Sequence, residues 1–172
     1  MIAFTENFRK IQELLAQATA AAGRDRASVT LVAVSKTHPP AAVLEAVAAG
    51  QRHFGENFVQ EALGKIREVG REDKSDELVW HFIGQLQSNK TKAVAENFQW
   101  VHTVDRLKIA KRLSSQRPHY AGDLDVCIEV NLDEEPGKGG VSPGELLPLA
   151  TEVAGLPKLR LRGLMCIPAA RE

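Results

Sequence analysis

Lys36 is the first residue whose type and place suit it to covalent chemistry. It follows directly on the apolar run Val32-Ala-Val-Ser35. A lysine at the C-terminal end of a buried strand, partly desolvated by its surroundings, can lose its proton and form a Schiff base with an aldehyde. A lysine leaving a strand for solvent gives the same pattern. His53, His81 and His102 each fall in a short strand-like run, and strand histidines hold zinc in barrel hydrolases. Here they come without a His-x-His pair, a His-x-x-x-His helix or a carboxylate at ligand spacing, so core or rim histidines are expected and no metal site. The loop Glu134-Glu-Pro-Gly-Lys-Gly-Gly140 offers glycines that let backbone N–H groups approach an anion, with Lys138 adding charge. A flexible surface turn has the same composition. Asn57 can orient a heteroaromatic ring or cap the helix that follows it. Ser88-Asn89 has the same two readings.

The elements that must position these groups alternate. Phe8, Ile11, Leu15, Ala18 and Ala22 recur at helical spacing, and Gly23 stands at the stop. Val29 to Val34 reads as a buried strand. Pro39-Pro40 opens a helix over Ala41 to Ala49, and Gly50 closes it. Strands are then expected at Arg52–Gly55, Leu78–Ile83, Gln99–Thr103, Leu124–Asn131 and Leu159–Ile167. Helices are expected at Phe58–Val69, Ser88–Asn97 and from Asp105, as cap, to about Ser115. A last one runs from Ser142, with capping-box spacing to Glu145, to Val153. This βα alternation calls for a parallel sheet. A doubly wound sheet and a (β/α)8 barrel both fit it. No G-x-G-x-x-G follows the first strand and no Walker lysine loop is present, so the nucleotide-binding open sheets lose their usual signature.

Composition narrows the function. The 172 residues carry 22 Lys+Arg and 22 Asp+Glu, a formal net charge of zero. That removes the main electrostatic reason to expect a nucleic-acid or anionic-membrane partner. No apolar run approaches the ~20 residues of a membrane span. Glu6 and Asn7 stand where a signal peptide needs an apolar stretch. Cys127 and Cys166 both sit in aliphatic runs and read as buried, reduced thiols, which fits a cytoplasmic protein.

Five spaced motifs occur in order: Val32-Ala-Val-Ser-Lys-Thr37; His53-Phe-Gly-Glu-Asn57 with Val59-Gln-Glu61; Trp80-His-Phe-Ile-Gly84 with Leu86-Gln-Ser-Asn-Lys90; His102-Thr-Val-Asp105; and Leu161-Arg-Gly-Leu-Met165 with Ile167-Pro168. Together they closely resemble the pyridoxal 5′-phosphate (PLP) homeostasis protein family, the PROSC-like proteins. The resemblance runs from the first helix to the last residue. It implies a (β/α)8 TIM barrel similar to the N-terminal domain of alanine racemase, as a single PLP-binding domain over residues 1–172 with about six βα units present. It also implies a PLP carrier and buffer without dedicated catalysis, serving apo PLP-dependent enzymes, its full-length form monomeric. Lys36 takes the place of the aldimine lysine. By the same resemblance Asn57 lies near the cofactor, Lys138 faces its phenolic oxygen, and Met165 approaches the site from the sixth strand.

Two local departures stand out. Gln85 occupies a position where the family usually has proline, and His38 one where many members carry a second lysine. The resemblance further implies continuation by about a quarter of a barrel, with strands seven and eight, Ser- and Gly-rich phosphate loops and an arginine near the pyridine nitrogen. On that expectation residues 1–172 are a barrel incomplete at the C-terminus. Two other functions compete. A PLP-dependent racemase needs acid/base groups on both faces of the substrate carbon. Beyond Lys36 the chain offers only Tyr120 in place of the tyrosine that alanine racemase draws from a second domain. The other alternative is a truncated remnant with weak PLP binding.

Overall fold

The computed structural model describes residues 2–73 and 77–169. Six strands alternate with six helices in chain order: α1 (Ile2–Ala21), β1 (Ala33–Val34), α2 (Pro40–Ala48), β2 (His53–Glu56), α3 (Val59–Glu72), β3 (Val79–Phe82), α4 (Thr91–Asn97), β4 (Trp100–Val104), α5 (Leu107–Gln116), β5 (Leu124–Glu129), α6 (Pro143–Ala154) and β6 (Leu159–Met165). Every strand pairs in parallel with its successor, in the order β1-β2-β3-β4-β5-β6. That order lacks the reversal of a doubly wound sheet and is the order of a barrel. All strand C-termini therefore share one rim.

The pairing register sorts side chains into two faces, because directly paired residues of parallel strands point the same way. Phe82, Val101, Val126 and Leu161 form one row across β3 to β6. They pack on helix residues such as Ala62, Val69, Val94, Ile109 and Leu113 in the hydrophobic core. The opposite face carries the row Gly55, His81, Trp100, Asp125 and Arg160. Burying aliphatic side chains on one face drives folding. The other face concentrates polar groups under the rim.

Local signals behave as their chemistry requires. Gly23, at φ 64°, turns the chain after α1 so that the Arg24 N–H reaches Thr19 O at 2.9 Å. Glu145 reaches back to the Ser142 N–H at 3.2 Å, as the capping-box spacing predicts. Among the described residues no helix is long and apolar enough to cross a membrane.

Several expectations need correction. The first strand spans two residues, not six. Val29 closes a 3-10 turn at Arg26–Ser28, and its carbonyl accepts from Arg26 Nη1 at 2.6 Å. The Leu31 carbonyl accepts from Gln51 Nε2 at 2.8 Å. Side chains thus take up acceptors that a longer strand would have paired. The helix expected at Ser88–Asn97 splits into a 3-10 turn at Ser88–Lys90 and α4. Asp105 caps nothing: Arg106 is the N-cap of α5, and Asp105 pairs with its guanidinium at 2.9 Å. Ile11 and Ala18 of α1 are exposed, and Leu15 and Thr19 lie nearer the core. Cys127 is buried, but Cys166, one residue beyond β6, is exposed. The chain after Ile167, where the βα alternation calls for the next helix, falls partly on residues 170–172, outside the described residues.

Candidate functional site

Lys36 leaves the end of β1 in a tight turn. The His38 N–H closes it on Ser35 O at 3.1 Å, and Thr37 holds φ at 64°. The Lys36 side chain is exposed, and no hydrogen bond or ion pair with another described residue engages its amine. Ser35, one residue earlier, is buried.

A charge cluster lies beneath this turn. Lys65 of α3 is 3 % exposed and Glu56 of β2 is fully buried. Lys65 Nζ donates to Glu56 Oε1 at 2.6 Å, to Ser35 O at 2.6 Å and to Glu61 Oε1 at 3.0 Å. Ser35 Oγ donates to Glu56 Oε1 at 2.6 Å. Glu61 Oε1 also accepts from the Thr37 N–H at 2.6 Å. Burial pulls the Glu61 carboxyl upward. The hydrogen bonds from Lys65 and Thr37, with the charges of Lys65 and His38, outweigh that pull and leave its pKa below the usual value. Glu56 and Glu61 stand inside the quoted motifs but the sequence assigns them no role, and Lys65 lies outside those motifs. Lys65 carried a legible signal: it stands three residues after Ala62 and four before Val69, both buried on α3, where an apolar residue is expected.

Asn57 follows β2 on the same rim. It does not cap α3, whose N-cap is Phe58 without a side-chain bond. Its Oδ1 is shielded from solvent and accepts no hydrogen bond among the described residues. An orphaned acceptor of this kind is costly unless a donor reaches it. Asn57 lines a cavity of about 380 Å³ with Gln60, Gln85 and Lys90. Gly84 closes against it: a Cβ there would stand 2.3 Å from Asn57 O, so no other residue fits. Ser88 and Asn89 sit in the 3-10 turn before α4 and cap no helix through their side chains.

Lys138 and Met165 occupy the other end of the rim. Lys138 Nζ pairs with Glu135 and donates to Ile167 O at 3.0 Å. Met165 ends β6, and its carbonyl accepts from the Val130 N–H at 2.8 Å. The two are therefore neighbours, with β2 to β4 between them and the Lys36 turn. Gln85 bridges part of that gap, since a Cβ on Gly139 would meet its Nε2 at 2.7 Å.

The three histidines lie under the rim and bond one another. His53 Nδ1 and His81 Nε2 are 2.9 Å apart, as are His81 Nδ1 and His102 Nε2. Burial, with the neighbouring His102 and His53, pushes His81 down to about 3, and burial lowers His53 and His102 as well. Their ring nitrogens are used on each other rather than converging on a common point. Among the described residues no group of three His, Cys, Asp or Glu is placed to hold a metal ion.

PLP, the group the resemblance implies, offers an aldehyde, a ring with polar edges and a phosphate. An exposed amine and a buried acceptor on one rim, both without partners among the described residues, suit the first two.

Comparison with known proteins agrees with this architecture. The family model described as alanine racemase, N-terminal domain, matches residues 2–172. A protein of Pseudomonas aeruginosa named pyridoxal phosphate homeostasis protein is 56% identical over 168 residues, covering 98% of this chain and 71% of that protein. PipY of Synechococcus elongatus, solved with PLP bound, superposes with a TM-score of 0.74 at 39% identity, over 90% of this chain and 70% of that one. Alanine racemase of Clostridium difficile shares the fold alone, with a TM-score of 0.64 at 14% identity over 83% of this chain and 36% of that one.

Proposed function

Since the chain belongs to the pyridoxal phosphate homeostasis protein family, built on the alanine racemase N-terminal fold, we propose that it holds PLP on Lys36 and contributes to intracellular PLP homeostasis as a carrier and buffer. The observation that carries this reading is the exposed Lys36 amine on the C-terminal rim, unpaired among the described residues. PLP supplies an aldehyde carbon, which an unprotonated amine captures reversibly with loss of one water. In this reading residues 1–172 form one binding domain. Lys36 provides the amine, and Asn57 offers its orphaned carbonyl to a donor on the ring. Lys138 turns a cation toward the phenolic oxygen, which requires it to leave Glu135. Met165 supplies apolar contact from β6. No residue of the chain is assigned to catalysis. The proposed setting is the cytoplasm and the proposed recipients are apo PLP-dependent enzymes.

Position weighs against the racemase alternative. Tyr120 is 87% exposed, in a 3-10 turn at His119–Ala121 just before β5. It therefore lies at the N-terminal ends of the strands, the opposite end from Lys36, away from a substrate carbon held there. The test is transfer. Chain loaded with PLP and freed of excess should restore activity to an apo PLP enzyme, and Lys36→Ala should deliver none. Equal delivery by both would overturn the assignment, and racemisation of alanine at about 1 per second or faster would overturn the carrier role.

A further inference from the structure

The turn that presents Lys36 does not suit its own sequence. Thr37, its third residue, sits in the left-handed region at φ 64°. A β-branched side chain rarely adopts that conformation, and glycine or asparagine is the usual occupant. The support comes from outside the turn. The Thr37 N–H donates to Glu61 Oε1 at 2.6 Å, and the same oxygen accepts from buried Lys65 at 3.0 Å. Lys65 also holds Ser35 O, on the other side of Lys36. Both neighbours of Lys36 are therefore tied to one charge cluster, and the exposed Lys36 side chain stands between them.

We propose that Glu61 is a positioning residue for Lys36: by keeping Thr37 left-handed it fixes the direction in which the lysine leaves the rim, and so the ease with which its amine captures the PLP aldehyde. This rests on the reading of Lys36 given above. The Glu61 carboxylate acts on backbone geometry and touches neither the amine nor the cofactor. Its effect should therefore depend on which residue stands at 37. Glycine adopts positive φ without help, so Thr37→Gly should make Glu61 dispensable for capture while leaving the buried pair Lys65–Glu56 in place.

The experiment compares wild type, Glu61→Ala, Glu61→Gln, Thr37→Gly and the double variant Glu61→Ala/Thr37→Gly. Each is incubated with PLP, and borohydride is added at intervals. Borohydride delivers hydride to the carbon of the C=N bond and fixes the label as a secondary amine on the Lys36 peptide, read by mass spectrometry. Circular dichroism checks the fold in parallel. Glu61→Ala should slow labelling about tenfold, the loss of one hydrogen bond to a charged group. Glu61→Gln keeps an acceptor and should stay within about threefold of wild type. Thr37→Gly should label like wild type, and the double variant should return to within about threefold of Thr37→Gly. A defect in Glu61→Ala that glycine does not rescue, or no defect at all, would overturn the positioning role. If Glu61→Ala does not fold, the double variant decides: folded and labelled supports the role, and unfolded assigns Glu61 to stability alone. A wild type that takes no label at Lys36 overturns the reading of that lysine and the positioning role together, an outcome distinct from failed rescue.

Discussion

At the β1–β2 end of the rim the chain buries charge to hold one turn, and at the β5–β6 end it leaves a glycine-rich loop to a surface pair. Lys65 and Glu56 meet at 2.6 Å with their side chains 2% and 0% exposed. Lys138 and Glu135 are 34% and 40% exposed. A buried pair is expensive to assemble and does not by itself imply stability. An exposed pair costs little and holds little. In the proposed reading the difference is that between a turn that must keep one geometry, as a covalent anchor requires, and a loop that can yield when a ligand arrives. The loop after β5 has Gly137 and Gly140 at φ 82° and 101°, which suits such freedom. The turn after β1 has no glycine and is held from outside.

The largest test of this contrast is Lys65→Met, which keeps the volume and leaves Glu56 buried without its cation. It should cost about 3–5 kcal/mol of stability, read from urea midpoints, and Glu56→Gln in the same chain should recover part of the loss. A cost below 1 kcal/mol would mean that the two ends of the rim do not differ as described.

Acid should separate the ends next. The folded chain keeps His81 neutral down to about pH 3, whereas the unfolded chain takes up a proton near the ordinary 6.5. The unfolded state therefore binds more protons between those values. The stability is fully present above 6.5 and falls as pH drops toward 3, by an amount on the order of a few kcal/mol. The histidines belong to β2, β3 and β4, so at pH 5 hydrogen exchange should quicken there before it does in β5 and β6. His81→Gln should flatten the dependence, and an unchanged slope would remove His81 as its cause.

The sequence made the order of elements readable because βα alternation, capping-box spacing and glycine stops are local signals. The charge cluster was not readable in the same way. Glu56, Glu61 and Lys65 meet only once β2, α3 and the turn after β1 are packed, and in the sequence they look like ordinary surface charges. Only Lys65, on the buried stripe of α3, betrayed itself. The short β1 was hidden for a related reason, since Gln51 and Arg26 take up carbonyls that a six-residue strand would have paired. Cys166 lies in an apolar run, yet its exposure depends on what stands beside β6. Among the described residues β6 pairs only with β5.

Smaller effects sharpen the second end. Lys138→Ala should cost less than about 1 kcal/mol in a urea titration, as exposed ion pairs do. The two thiols should differ in rate without a change in stability. Burial pushes the Cys127 thiol up, with Asp125 adding to the shift. Cys127 should react with a thiol reagent only after denaturation, whereas Cys166 reacts in the native chain. Equal native rates would contradict the packing of β5 against β6.

In the proposed reading the covalent anchor sits at the held end of the rim. The most direct measurement is borohydride trapping after incubation with PLP, followed by peptide mapping of wild type, Lys36→Ala and Lys138→Ala, each checked for fold by circular dichroism. The label is expected on Lys36, absent in Lys36→Ala and retained in Lys138→Ala. A label that persists in Lys36→Ala and disappears in Lys138→Ala would place the anchor on the yielding loop instead.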